Sequence, residues 1–134
     1  MKKLSLLIAV VFAALALSSC SKDDASLPIK SKNLVGTWCF VQRIWDDGEI
    51  DYFDPWEYGY EELVFTKNTM TDYFTKEDGV NELEEGSQVE YTIKGEDLWF
   101  GGWWRYATIK KLTSEELLLD LCGEHFNNLY RKKK

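Results

Sequence analysis

The residues able to do chemistry in this chain are few and far apart. His125 is the only imidazole, so one chain cannot assemble a multi-histidine metal site. It reads as an ordinary strand histidine. Asp46, Asp47, Glu49, Asp51 and Asp54 crowd one short stretch. They lack the glycine position and terminal glutamate of an EF-hand loop and read as a solvated acidic loop, as do Glu82, Glu84 and Glu85. No nucleophile elbow, acid–base pair or metal cluster is legible, so no catalytic residue, metal or cofactor is assigned and no enzyme is expected. What remains is aromatic. Tyr52, Phe53, Trp56, Tyr58 and Tyr60 gather around Pro55 and Gly59, and Trp99, Phe100, Trp103, Trp104 and Tyr106 around Gly101-Gly102. Such rings either fill a core and close a barrel end, or grip a ligand whose hydroxyls neighbouring carboxylates accept.

The chain begins with an address. Lys2 and Lys3 precede a run from Leu4 to Leu17 that is apolar except for Ser5. That run is short of the roughly 20 residues a permanent span needs, and it reads as a secretory signal over residues 1–19. Leu17-Ser18-Ser19-Cys20 resembles the bacterial lipobox. The resemblance implies a diacylglyceryl thioether on Cys20, cleavage before it and acylation of the new amine, and several acyl chains anchor stably. Ser21-Lys22-Asp23-Asp24 looks like the signal by which some Gram-negative bacteria send lipoproteins to the cell surface; its alternative is a plain charged spacer. An outer-membrane lipoprotein facing outward is expected.

Of 134 residues, 16 are Lys or Arg and 23 are Asp or Glu. Loss of residues 1–19, which carry two lysines and no acid, leaves 14 basic and 23 acidic groups, a formal charge of −9. Phosphate backbones would repel such a chain, so nucleic acid is excluded as a partner. The length allows one domain.

Secondary-structure elements must position the aromatic clusters. Residues 20–32 are small, charged and broken by Pro28, and read as a tether, with one domain over 33–134. Helix signals are poor there. Aromatic and β-branched runs predict strands over 35–45, 48–53, 61–67, 69–75, 87–94, 97–101, 103–111, 116–122 and 125–132. Asp46-Asp47-Gly48, Lys67-Asn68, Gly95-Glu96 and Gly123-Glu124 supply turns, and Thr113-Ser114-Glu115-Glu116 a tight connection. Val89, Tyr91 and Ile93 alternate with Gln88, Glu90, Thr92 and Lys94, so one face is buried and one wet. The expectation is an all-β, antiparallel, up-and-down barrel of about eight strands, closed so that no edge is left unpaired.

Leu34-Val35-Gly36-Thr37-Trp38, opening the first strand, resembles the G-x-W motif of lipocalins. With the Asp47-Gly48 turn, Thr108–Thr113 leading into Glu116–Leu119, and the closing Tyr130-Arg131, the region from Leu34 to Lys132 looks like the lipocalin-like domain of bacterial surface lipoproteins. The resemblance implies that Trp38 plugs the closed end, that Arg131 lies across its face, and that the barrel holds a small, largely apolar ligand. Trp38 and Phe40 would be the floor, Val89, Tyr91 and Ile93 a wall, and Trp56, Tyr58 and Trp104 the rim. Tyr91 would offer a hydroxyl, and Arg105 an anchor for an acidic headgroup if it points inward. The chain lacks residues for the helix that packs outside animal lipocalin barrels, and bulky rings filling the interior are the alternative. A monomer is expected, and a surface module for glycans or proteins is the rival function. Cys39 and Cys122 should both face outward on strands separated by a third, about 10 Å across, which puts free thiols ahead of a bridge.

Overall fold

A computed structural model describes residues 25–76 and 82–134. The expected signal segment (residues 1–19), Cys20 and Lys22-Asp23-Asp24 lie outside the described residues. Among the described residues a helical turn, α1 (Ser31–Leu34), leads into nine strands. These are β1 (Gly36–Trp45), β2 (Ile50–Tyr52), β3 (Glu61–Phe65), β4 (Thr69–Thr75), β5 (Leu83–Lys94), β6 (Asp97–Phe100), β7 (Trp104–Leu112), β8 (Glu116–Leu121) and β9 (Phe126–Lys132).

Neighbours in sequence pair antiparallel from β3 to β9, and β9 returns to pair with β1, closing an eight-stranded barrel. The short β2 is an addition, paired with the upper part of β1 where β3 no longer reaches. Period-two burial explains why these segments are strands. Leu63 and Phe65, Leu98 and Phe100, and Leu117 and Leu119 are buried at alternate positions, and their partners in register share the interior face.

Up-and-down connectivity places alternate connections at opposite ends. At the closed end, the Trp38 ring is fully buried and its Nε1–H donates to the Leu34 carbonyl, 2.8 Å away. The glycine of the G-x-W motif has a physical reason here. Gly36 has φ +136°, and a Cβ there would meet Lys132 Cε at 2.7 Å.

The nine expected strands are present with small shifts at their ends, and the Thr113 hydroxyl accepts from the Glu115 and Glu116 amides in a tight connection. Three readings are corrected. Glu84 and Glu85 are not loop: they pair with Phe74 and Tyr73 in the first part of β5. The cation over Trp38 is Lys132, its ammonium 5.4 Å from the ring centroid. Arg131 instead pairs in register with Cys39 and Glu116 on the outer face. The end of the expected tether is docked, not free: the Leu27 amide donates to the Leu112 carbonyl (2.8 Å), and Leu27 and Ile29 pack against the core.

Candidate functional site

Four pairings carry register shifts, and those in β1 and β5 help to shape the open end. A bulge in β1 between Phe40 and Gln42 makes the side-chain parity slip by one residue. Below the bulge, Trp38 and Phe40 face inward; above it, Arg43 lies opposite Asn128 and Trp45 opposite Phe126, both inward on β9. A second bulge sets Gly86 and Ser87 of β5 against Asp72 of β4. The Asp72 carboxylate accepts the Ser87 amide at 2.6 Å, and a Cβ on Gly86 would collide with its oxygen.

The first slip brings a cation into the barrel. The Arg43 guanidinium stacks 3.9 Å from the Phe126 ring centroid, with Phe40 and Phe53 each at 5.6 Å and Trp45 at 5.9 Å. Its Nε–H donates to Asn128 Oδ1 at 3.2 Å. From Asn128 the chain of contacts runs on: its amide donates to the Tyr130 hydroxyl (3.4 Å), which donates to Glu61 at 2.5 Å. Desolvation raises the Glu61 carboxyl above the usual carboxylate range; the Tyr130 hydrogen bond opposes this, nearby Asp72 adds to it, and Arg43 opposes it. Burial likewise pushes the Tyr130 hydroxyl up, as it does Tyr106, which also feels Glu61 and Asp72.

An aromatic path leads from this polar group to the surface. Tyr106 stacks on Phe100 (4.3 Å), and Trp104 meets both rings edge-on, at 6.1 and 5.8 Å. β6 pairs with β5 only from Tyr91 to Lys94, so the upper part of β5 is held on that side by little more than Gly101 N–H to the Glu90 carbonyl (3.1 Å). There a cleft of about 350 Å³ opens, lined by Val89, Glu90, Phe100, Gly101, Trp103 and Trp104. Trp103 is 80% and Trp104 51% exposed.

The residues expected from sequence are therefore divided. Phe40 stacks on Phe53 (4.5 Å) and Tyr130 (5.4 Å) as buried packing above the Trp38 floor. Val89 and Trp104 meet at the cleft. Trp56 (55% exposed) and Tyr58 (71%) stand on the β2–β3 loop at the same open end. Tyr91 and Ile93 lie lower, and the Tyr91 hydroxyl already donates to the Thr66 carbonyl at 2.7 Å. Arg105 faces outward, with Nη2–H donating to Cys122 Sγ (3.6 Å) and Nη1 3.9 Å from Asp97. Arg43, not Arg105, is the interior cation. Sequence reasoning missed it because strict alternation from Trp38 puts residue 43 outside, and nothing in the local composition marks the bulge.

Cys39 and Cys122 are free thiols. Among the described residues no group of three or more His, Cys, Asp or Glu is placed to hold a metal ion.

No protein-family model and no curated protein matches the chain. Two solved structures do. A lipocalin-like protein from Bacteroides uniformis ATCC 8492 is similar at 19% identity with a TM-score of 0.59, over 75% of this chain and 99% of that one. A protein from Bacteroides eggerthii DSM 20697 is similar at 16% identity with a TM-score of 0.56, over 74% and 98%. These likenesses establish a lipocalin-like barrel fold.

Proposed function

We propose that this protein is a non-catalytic, lipid-anchored lipoprotein of the outer membrane, displayed at the cell surface, that binds a small molecule with a largely apolar body. The lipocalin-like barrel supports ligand binding in general. The lower barrel is filled by Trp38, Phe40, Leu63, Phe65, Leu98 and Leu119, which leaves the open end for the ligand. The observation that carries the reading is the apolar cleft between β5 and the β6–β7 turn, with two exposed indoles on one side and the Phe100–Tyr106 stack behind them. Sites of this kind are mostly apolar with a few polar groups fixing orientation, and the Arg43–Asn128–Tyr130–Glu61 chain supplies such groups.

A second reading rests on Tyr52, Trp56 and Tyr58, which stand exposed beside Asp51, Asp54 and Glu57. Rings next to carboxylates suit a glycan or a protein surface.

Native mass spectrometry and tryptophan fluorescence titration against fatty acids, sterols and porphyrins distinguish the two. Saturable binding reduced by Trp104→Ala supports the first. No saturable binding, with retention on a glycan array lost in a Trp56→Ala/Tyr58→Ala variant, transfers the function to the second. Anchoring is tested separately: Cys20→Ala should abolish the lipid mass on that residue and release or stall the precursor. Protease shaving of intact cells should degrade the wild-type protein.

A further inference from the structure

The charges of the domain are sorted by barrel end. The segments at the closed end carry Lys30, Lys32, Lys67, Lys133 and Lys134 against Glu96 and Glu115. Those at the open end carry, among the described residues, Asp46, Asp47, Glu49, Asp54, Glu57, Glu82 and Glu124 against Lys76. Lys134 pairs with Glu115 (3.6 Å) and Lys133 with Glu62 on the outer wall (3.5 Å). Lys30, Lys32 and Lys67 have no ion pair among the described residues. Two of these cations flank a cleft of about 580 Å³, lined by Ile29, Lys30, Ser31, Lys67, Thr92 and Gly95 together with Tyr91 and Ile93. The cleft thus offers two ammonium groups and two hydroxyls over an apolar base, which suits a phosphate ester attached to hydrocarbon.

The chain also enters at this end. Leu27 is fastened to Leu112, and the Asn33 side-chain amide donates to the Pro28 carbonyl at 2.7 Å. The seven residue steps from Cys20 to Leu27 span at most about 24 Å at full extension. A membrane-held Cys20 therefore keeps the closed end, and not the mouth, against the headgroups.

We propose that the closed end is a docking face for an anionic lipid surface, with the Lys30–Lys67 cleft taking a lipid phosphate headgroup. The inference rests on the lipid-anchor reading. An acidic domain held by its N-terminus is oriented by this polarity: the lysine end is drawn to the membrane, and the acidic end, with the ligand cleft, is pushed away.

The test uses the protein purified from membranes with its own N-terminus, reconstituted into phosphatidylcholine vesicles with or without phosphatidylglycerol. Amide hydrogen exchange at residues 29–33, 66–68 and 94–96 should slow when phosphatidylglycerol is present, and exchange at 46–49 and 122–125 should not. About 1 M salt should reverse the effect. Each lysine contributes roughly a fivefold factor near an anionic surface, so Lys30→Gln with Lys67→Gln should weaken docking about 25-fold and remove the protection. The thermal midpoint of that variant should match the wild type, since both side chains lie on the surface.

Equal protection on pure phosphatidylcholine, or undiminished protection in the double variant, overturns the proposal. Inorganic phosphate reproducing the protection on phosphatidylcholine vesicles also overturns it, in favour of a small-anion site. The mass of the Cys20 peptide separates the two readings. An unmodified Cys20 overturns the anchor and this inference together; a lipidated Cys20 with no phosphatidylglycerol effect overturns this inference alone.

Discussion

The hydroxyl of Tyr130 on β9 donates to the carboxyl of Glu61 on β3 at 2.5 Å, across the inner face of β1, which lies between those two strands. Neither side chain could be buried alone at small cost, and together they tie three strands at the place where the barrel closes. Tyr130 is fully buried. Glu61→Ala leaves its hydroxyl with no carboxylate to receive its proton and should cost about 1–3 kcal/mol in urea unfolding. Glu61→Gln keeps an acceptor oxygen and should cost less than the alanine change.

That pair also sets a pH dependence. The folded Glu61 carboxyl lies above its ordinary value of 4.5, chiefly through desolvation, so the native state holds this proton more tightly than the unfolded chain. The resulting stabilisation is fully present below pH 4.5 and is lost as pH rises through the raised folded value. Relative to Glu61→Gln, the wild type should therefore lose stability as pH rises above about 4.5, as read from paired unfolding curves. A parallel pH profile for the two proteins would remove Glu61 as the titrating group.

Trp38 closes the barrel floor, so Trp38→Ala should cost about 3–5 kcal/mol in chemical denaturation. A loss below about 1 kcal/mol would remove it from that role. Lys132→Met should perturb the near-ultraviolet circular dichroism of the buried indole, because its ammonium lies over the ring. Arg131→Met, on the outer face, should leave that signal unchanged.

At the cleft, Trp103→Ala should change stability by no more than about 0.5 kcal/mol, because that ring is 80% exposed. Trp104 packs against Phe100 and Tyr106, and its removal should weaken ligand binding more than Arg105→Ala does. A titration in which the Arg105 variant lost more affinity than the Trp104 variant would contradict the outward placement of Arg105.

The two barrel cysteines should differ in reactivity. Cys122 is exposed; the Cys39 thiol is half-buried and pushed up by desolvation, against a hydrogen bond from Tyr60. Alkylation of the native protein near pH 8 should label Cys122 first, and non-reducing mass analysis should find no linkage between residues 39 and 122.

Much of the architecture was legible because an antiparallel barrel with one wet face writes its period into each strand. Val89, Tyr91 and Ile93 announced β5, and the turns at Asp47-Gly48, Lys67-Asn68 and Gly95-Glu96 announced the order of hairpins. The first part of β5 was not legible. Glu84, Glu85 and Gly86 lie where the strand rises past its neighbour and neither face is deeply covered, so hydrophobic alternation is absent there. The docked segment around Leu27 and Ile29 was hidden for a similar reason, since two apolar residues among lysines and serines carry no period.

The amino-acid sequence by itself determined the strands, their antiparallel order and the closing tryptophan, all of which depend on local patterns. Only the tertiary structure decided which cation faces inward. Alternation is an exact period of two, so a single extra residue at Val41 inverts every position above it, and that slip is settled by pairing with β9 on the far side of the chain. Arg43 consequently enters the barrel against Phe126 and Asn128, while Arg105 stays on the outer wall with Asp97. The separation of basic and acidic ends emerged at the same level, because lysines far apart in sequence share one end only after up-and-down strands have brought their turns together.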